Sequence, residues 1–212
     1  MKRWLLMACL AGIGSLASAQ VRIGPEIGML LNNYSYKIRG TSISNKLKAG
    51  VRVGAVADIK LVEGLYFQPG LGYASKGLVF TGNYGIVQNI QFKGTETVHY
   101  LEVPLTFVYK SGDETSPVRF MGGAGPYAAV ALGGKFEQNG NSVKLKIGNK
   151  AYADDLKPVD LGVNINAGVQ FKNTFFIRLN AGIGLTNMQP GGNADNVIRN
   201  RNVGLSLGYL FG

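Results

Sequence analysis

The chain has 212 residues, of which only 16% are charged and 31 are glycine, a composition that is unusual for a soluble secreted domain. Its formal net charge of +10 favours an anionic partner, either nucleic acid or a lipid surface. Cys9 is the one cysteine, which excludes an internal disulfide and a cysteine metal site. After residue 19 no run of 18 apolar residues occurs, so no membrane-spanning helix is expected.

The first 19 residues have the pattern of a secretory signal peptide. Lys2 and Arg3 precede an apolar stretch, and residues 17–19 form an A-x-A-like cleavage site. Cleavage there leaves residues 20–212 as one domain and lowers the formal charge from +10 to +8, because Lys2 and Arg3 are lost. An exported protein rarely meets nucleic acid, so outer-membrane lipid and lipopolysaccharide are the expected anionic partners.

Eight segments with a period of two follow in chain order, and no segment has the 3.6-residue period of a helix. Three short turns at 62–64, 111–116 and 172–174 alternate with long polar segments. This rhythm predicts an all-β, eight-stranded antiparallel up-and-down transmembrane β-barrel with a polar, charge-paired lumen. The strands are expected at about 21–34, 51–61, 65–80, 96–110, 117–134, 159–171, 175–186 and 202–212. The long segments are 35–47, 81–95, 135–158 and 187–200.

The stretch at 159–171, VDLGVNINAGVQF, shows the two faces of such a strand. Val159 and Leu161 begin an apolar face, whereas Asp160 and Asn164 lie on a polar, glycine-rich face. Arg or Lys facing lipid costs about 2–4 kcal/mol at the bilayer midplane, so the polar face is placed in the lumen. The alternative is a soluble calyx such as a lipocalin with the faces reversed. That fold leaves the alternation of short and long connections unexplained.

The polar face carries a network of acids and bases that is expected to be structural, since buried ionisable groups are usually paired. Glu102 is expected to pair with Arg52, Arg119 or Arg178; a gating carboxylate is the functional alternative. Pro104 lacks a backbone N–H, which predicts a bulge in its strand. The lumen charges are Arg22, Glu26, Arg52, Asp58, Lys60, Glu102, Arg119, Asp160 and Arg178.

Outward-facing aromatic residues collect near the short turns, as in the lower aromatic girdle of a membrane barrel. The upper girdle is thinner and is assigned to Tyr73 and Tyr34. The lower girdle comprises Phe67, Phe107, Tyr109, Phe120, Phe171, Phe175, Tyr209 and Phe211.

The long connections are basic. This pattern favours contact with lipopolysaccharide phosphates, and a simply solvated loop is an equal alternative. The first connection contains Lys37, Arg39, Lys46 and Lys48, and the third contains Lys135, Lys144, Lys146, Lys150 and Lys157.

His99 is the only histidine and shares the outward parity of Leu101. Lipid A deacylases of the outer membrane use a lipid-facing His and Ser close together, but the residue two positions on is Leu101. A lone histidine without a matched nucleophile is weak support for acyl transfer, and it excludes the usual zinc sets. The chain is therefore not expected to be an enzyme, and no cofactor or metal is expected.

Two motifs together resemble a known family. YLEVPL at 100–105, followed by GGAGPY at 122–127, is similar to consecutive strands of the porin-family (PorT-like) outer-membrane β-barrel proteins of Bacteroidota. Residues 160–162 and 204–211 fit the later strands of that family. The resemblance implies insertion by the barrel assembly machinery, with Tyr209 and Phe211 as the C-terminal assembly signal, although Gly212 follows them.

The function expected from these observations is a small integral outer-membrane barrel with a structural or partner-binding role. The family resemblance adds a component of a protein secretion apparatus as a specific hypothesis, because some members serve in secretion or gliding. A narrow porin for small solutes is the alternative, but nine lumen charges should form a plug. An outer-membrane lipid-modifying enzyme is the third hypothesis.

Overall fold

A computed structural model describes residues 21–38, 41–43, 46–83 and 91–212; the expected signal peptide at 1–19 lies outside them. The described chain folds into strands joined by turns and loops. Within these residues there is no helix long and apolar enough to cross a membrane. The strands are β1 (Val21–Ile38), β2 (Thr41–Ile43), β3 (Lys48–Val62), β4 (Leu65–Asn83), β5 (Gln91–Lys110), β6 (Val118–Gln138), β7 (Asn141–Lys144), β8 (Val159–Phe171), β9 (Phe175–Gly184) and β10 (Val197–Tyr209).

Eight of these strands form a closed antiparallel barrel in chain order, which confirms the predicted fold class. The first strand, β1, pairs with β3 on one side and with β10 on the other, and the pairing with β10 closes the sheet. The two short strands are additions at one end: β2 pairs with β1, and β7 pairs with β6. A closed barrel leaves no free strand edge inside a bilayer.

The alternation along each strand separates an apolar outer wall from a polar interior. On β8, Leu161 is 49% exposed and Ile165 is 51% exposed, whereas Asp160 is fully buried. The same contrast holds on β10, where Leu205 is exposed and Ser206 is buried. A soluble calyx would bury the leucines, so the exposed apolar wall rules out the lipocalin alternative and fits a lipid-facing surface.

Short turns join the strands at one end of the barrel. Residues with positive φ allow the chain to reverse within these few residues. Gly64 in the turn between β3 and β4 has a φ of 76°. Lys172 and Asn173, between β8 and β9, both have positive φ values (45° and 60°), as tight hairpin turns require. Membrane barrels of this kind have short inner turns and longer external loops, so the end with the long connections is named the external end.

The strands extend further toward the external end than the sequence pattern predicted. Parts of the predicted polar segments 35–47, 81–95, 135–158 and 187–200 belong to strands, because β1, β4, β5, β6 and β10 enter them and the short strands β2 and β7 lie within them. A tilted strand needs only about 9–11 residues to cross the hydrocarbon layer. Above that layer the outer face meets water, so the apolar alternation that marks a strand in the sequence disappears.

The predicted bulge at Pro104 is wrong. The register of β5 continues unshifted past Pro104 against both neighbouring strands. The register instead shifts between His99 and Tyr100, opposite β6. Pro104 needs no bulge because it has no pairing partner on β4, so its missing N–H breaks no bond there. The β4–β5 pairing passes from Pro69–Leu105 directly to Gly72–Glu102.

Apolar side chains also enter the lumen at both ends. Near the short turns, buried Phe176 and Leu210 pack with three neighbours from β3, β5 and β6. At the external end, Leu156 from the β7–β8 connection packs with Met188 and with tyrosines of β5 and β6. On β3 and β5, Asp58 and Lys110 lie two residues nearer the short turns than Val56 and Val108 of the first cluster, so charged and apolar levels alternate at that end.

Candidate functional site

The charged lumen contains one ion-pair cluster around Asp58 near the short turns. Asp58 is fully buried, and both of its carboxylate oxygens accept hydrogen bonds from the Lys110 ammonium group at 2.8 Å. Arg22 lies 3.4 Å from the same carboxylate, and Gln68 donates to it at 2.7 Å. Two buried cations and an amide thus satisfy one buried acid, as a low-dielectric site requires.

Arg178 extends this cluster toward the middle of the barrel. Its guanidinium donates two hydrogen bonds to the Glu26 carboxylate, in the bidentate geometry that arginine and carboxylate groups favour. A third bond runs from Arg178 to the side-chain oxygen of Gln68 at 2.9 Å. The Gln68 amide nitrogen also donates to Asp58, so Gln68 links the Arg178–Glu26 pair to Asp58.

A second cluster lies closer to the external end. Arg52 pairs with Glu102, and Lys76 pairs with Glu102 at 2.8 Å and with Asp160 at 3.2 Å. Asp160 also accepts hydrogen bonds from the Tyr127 hydroxyl and from the Asn200 amide. The Lys76 ammonium lies 4.5 Å from the centre of the Tyr127 ring, which adds a cation–π contact. Lys76 is thus the centre of the cluster.

These contacts place most of the sequence-predicted lumen charges together. Arg22, Glu26, Asp58, Asp160 and Arg178 are buried and take part in ion pairs. Glu102 has Arg52 as a partner, one of the three arginines considered from the sequence. The second partner of Glu102 is Lys76 on β4.

Two predicted lumen charges are placed differently. Arg119 is fully buried, and its hydrogen bonds within the described part of the chain go to neutral acceptors: the Ser111 carbonyl, the Tyr66 hydroxyl and the Asn173 side chain. Lys60 is 28% exposed and lies at the rim of the barrel, where it pairs with Glu63 and Glu114. Arg119 is therefore not a partner of Glu102, because it lies at the level of the short turns.

Sequence reasoning missed the buried lysines Lys76 and Lys110. Both follow the inward parity of their strands, Lys76 after Ala74 on β4 and Lys110 after Val108 on β5. This parity indicates that both side chains point inward. However, Lys110 adjoins a turn, and Lys76 lies five residues before the polar segment 81–95. Lysines near strand ends are usually solvated, and only the register shows that these two reach buried acids.

At the rim near the short turns, a neighbouring lysine lowers the pKa of Glu114. Glu114 lies in the turn between β5 and β6, 3.0 Å from the Lys60 ammonium, and it also accepts from the Tyr66 hydroxyl. The hydrogen bond from Lys60 is the main reason that the pKa of Glu114 is lowered from its ordinary value. Glu114 therefore stays ionised as the pH falls toward that value.

The segment 145–157 between β7 and β8 packs into the external end of the barrel. Leu156 is 3% exposed and Met188 is 1% exposed, and Leu145 and Ile147 pack against the same cluster. Backbone bonds fix the segment: Lys157 N–H donates to the Met188 carbonyl, and Gly148 N–H donates to the Leu156 carbonyl. The segment is therefore folded into the barrel end.

The tip of this segment presents an aromatic side chain to solvent. Tyr152 is fully exposed and has a φ of 63°, a left-handed conformation that bulky residues rarely adopt. Two carboxylates hold the surrounding turn: Asp154 accepts from the Lys150 N–H at 2.8 Å, and Asp155 accepts from the Lys146 N–H at 2.7 Å. The tip is thus rigid, aromatic and flanked by lysines.

The predicted girdles are partly realised. Outward aromatic pairs form near the short turns: Phe67 with Phe107, Phe171 with Phe175, and Tyr209 with Phe211. At the upper level, Tyr73 faces outward and stacks on His99. Tyr34 does not belong to the girdle: it is 3% exposed and lies in the lumen against Tyr36 and Leu78. Side chains alternate along β1, and Tyr34 falls on the inward face.

His99 faces outward, as its parity predicted, and its Nδ1 atom is hydrogen-bonded to the Tyr73 hydroxyl. Register places Ser75 opposite His99 on β4. Among the described contacts, no hydrogen bond joins the Ser75 hydroxyl to the imidazole. A tyrosine, not a carboxylate, orients the ring, so the arrangement differs from a nucleophile–base–acid triad.

A closed antiparallel barrel with an apolar outer wall and a charged, side-chain-filled lumen defines the class of small integral membrane barrels. The chain belongs to the family of outer membrane protein beta-barrel domains, whose model matches residues 16–189. A search of curated proteins gave no match.

Three solved structures resemble this chain at low sequence identity. OprG from Pseudomonas aeruginosa matches with a TM-score of 0.50 at 10% identity, over 90% of this chain and 95% of that chain. Ail, the attachment invasion locus protein of Yersinia pestis, solved with the heparin analogue sucrose octasulfate, matches with a TM-score of 0.42 at 15% identity, over 90% and 99%. The N-terminal barrel domain of P. aeruginosa OprF matches with a TM-score of 0.41 at 14% identity, over 91% and 100%.

Proposed function

We propose that this protein is a non-enzymatic, non-conducting outer-membrane barrel that holds a partner-binding surface at the external face. One observation carries the proposal: the segment 145–157 both closes the lumen through Leu156 and presents Tyr152 to solvent. A porin needs the same region to be open. A binding protein needs it to be fixed, because preorganised surfaces lose less entropy when they bind.

The binding surface in this proposal is the tip around Tyr152. An exposed tyrosine offers a large, rigid contact area, and aromatic residues are enriched at the energetic centres of interfaces. Lys146 and Lys150 flank it, but Asp154 and Asp155 in the same turn balance their charge, so the exposed ring and not the net charge defines the surface. The resemblance to PorT-like proteins adds a class of partner to the proposal, namely another component of a secretion apparatus.

The porin and enzyme alternatives have less support. Among the described residues, a lumen cavity of about 30 Å³ remains beside Glu26, Arg52 and Arg178, so no specific observation favours solute passage. For lipid chemistry, the His99–Tyr73 pair supplies no nucleophile next to a base. If His99→Ala changed the acylation of lipid A in the living cell, the enzyme hypothesis would replace the present one.

Site-specific photo-crosslinking in cells tests the proposal. A photoreactive amino acid at position 150 should give a discrete adduct, and Tyr152→Ala in the same chain should remove it. A probe at position 113, in the turn between β5 and β6, is the control for the opposite end of the barrel. An adduct formed only from position 113 would move the binding surface to the periplasmic side.

Planar-bilayer recordings test the closed lumen separately. The purified protein should give no reproducible channels, because large side chains close both ends. Regular conductance steps from the wild-type protein would overturn the non-conducting part of the proposal and would support the narrow porin.

A further inference from the structure

The outer wall of the barrel changes from apolar to polar at one level across neighbouring strands. Leu71 on β4, Leu101 on β5 and Leu132 on β6 are exposed apolar residues of the lipid-facing wall. Two or three residues further toward the external end, the outward positions are occupied by His99 on β5 and Lys135 on β6. This boundary is where acyl chains give way to lipid headgroups in the outer leaflet.

A histidine–tyrosine pair marks the boundary. The Tyr73 hydroxyl is hydrogen-bonded to His99 Nδ1, and the two rings lie 5.8 Å apart with an interplanar angle of 21°. With the hydroxyl donating to Nδ1, the neutral imidazole carries its proton on Nε2. Nε2–H is then a hydrogen-bond donor on the wall, held in place by the tyrosine.

Two lysines lie one step above this pair. Register aligns Gly77 of β4 with Thr97 of β5 and Thr97 with Lys135 of β6. The aliphatic stem of Lys48 crosses Gly77 closely: a Cβ atom there would lie 3.2 Å from Lys48 Cδ. The charges of Glu137 and Lys135 both act on the Lys48 ammonium group, so the patch contains one acid as well as the two cations.

The patch is positively charged and already packed. Glu137 is its one acid among the described residues; it pairs with Lys135 at 2.9 Å, and its charge also acts on Lys48, which donates a hydrogen bond to the Ala49 carbonyl. Two lysines against one glutamate leave the patch with a formal charge of +1. Ser75 and Thr97 face outward by register but are only 7% and 8% exposed. Neighbouring side chains therefore cover this part of the wall.

We propose that the patch formed by Tyr73, His99, Lys48 and Lys135 binds the phosphate group of a lipid headgroup in the outer leaflet. The imidazole N–H and two ammonium groups supply charge-assisted hydrogen bonds to phosphate oxygens. The adjoining leucines contact the acyl chains of the same lipid. The site lies on the barrel wall, so it is independent of the tip around Tyr152.

The single histidine permits a direct test. His99 is the only histidine in the chain, so ¹⁵N-histidine labelling gives one imidazole, provided that purification uses no histidine tag. The full protein is placed in phosphatidylglycerol bilayers, and ³¹P–¹⁵N dipolar recoupling is measured by solid-state NMR. A parallel sample uses phosphate-free galactolipid bilayers with added inorganic phosphate.

Dephasing of the imidazole signal by ³¹P is expected in phosphatidylglycerol and not in the galactolipid sample. Lys48→Gln with Lys135→Gln should lose it while the barrel stays folded, because both side chains are partly exposed. Lys172→Gln, in a short turn at the opposite end, should keep it. No dephasing in phosphatidylglycerol overturns the proposal, and so does equal dephasing by inorganic phosphate, which would indicate a free-anion site.

Discussion

Lys76 should be among the most costly single side chains of the lumen to lose, because two buried carboxylates share its ammonium group. Lys76→Met keeps an unbranched stem and removes the charge. Glu102 then keeps Arg52 as its partner, but Asp160 retains only neutral hydrogen-bond donors. An acid left without a cation in a buried site is strongly destabilising.

The distances allow an estimate of the effect. Lys76 Nζ lies 2.8 Å from Glu102 and 3.2 Å from Asp160, so each attraction is about 5 to 6 kcal/mol at an effective dielectric constant of about 20. The ammonium is 1% exposed, and its desolvation offsets several kcal/mol of that sum. Lys76→Met should therefore lower the free energy of unfolding by about 3–5 kcal/mol.

Equilibrium urea unfolding in lipid vesicles measures this change, with the heat-dependent gel mobility of the folded barrel as a second probe. Lys144→Met is the matched control: this lysine is exposed on β7, so its loss should change stability by less than about 0.5 kcal/mol. The double variant Lys76→Met/Asp160→Asn should recover much of the loss. Asparagine can still accept the hydrogen bonds that Asp160 receives but carries no charge.

Two results would refute this reasoning. A cost below about 1 kcal/mol for Lys76→Met would mean that water screens the lumen charges as it screens surface pairs. An undiminished loss in the double variant would assign the effect to the ring contacts of Lys76 with Tyr100 and Tyr127, not to the carboxylates.

Three further predictions concern other parts of the barrel. Glu114→Gln should cost up to about 1 kcal/mol at neutral pH, since the pair with Lys60 is partly exposed. The pKa of Glu114 is lowered in the folded state, so its contribution should persist above the unfolded pKa and disappear as the pH falls through the folded one. Gly208→Ala should cost about 1–3 kcal/mol in urea unfolding, because its Cβ would lie 2.1 Å from the ring of Phe176. Phe211→Ala should reduce the fraction of folded barrel in isolated outer membranes severalfold, if the C-terminal strand is the assembly signal.

Each of these predictions has its own control. Gly122→Ala should be tolerated, because its Cβ would meet only the Asn166 carbonyl at 3.9 Å. Equal losses for the two glycine variants would contradict the packing argument. Phe120→Ala removes another exposed girdle aromatic, so an equal assembly defect would point to the girdle in general. A pH-independent effect of Glu114→Gln would show that its charge does not matter.

The faces of the strands were predictable from sequence because side-chain parity is a local property. The alternation at 159–171 coincides with β8, and it correctly assigned Asp160 to the lumen and Leu161 to the wall. Parity also gives the inward direction of Lys76. It does not give the height of a side chain in the barrel, which depends on strand tilt and register between distant segments.

Ion-pair partners were therefore the least predictable part of the site. Arg119 and Glu102 share the inward parity but lie at different levels, and only the register of β5 and β6 separates them. The external closure was also hidden. Leu156 lies in a polar connection, and its neighbour Met188 is 32 residues away in another connection, so no local pattern links them.

The closure of both barrel ends has a consequence for the cell envelope. An outer membrane protects the cell by its low permeability to hydrophilic toxins, and every open pore lowers that protection. In the proposed non-conducting barrel, Leu156 and Met188 pack at one end and Phe176 and Leu210 at the other, and such a barrel would add no leak of this kind. Its abundance can then rise with demand for its binding surface without weakening the permeability barrier.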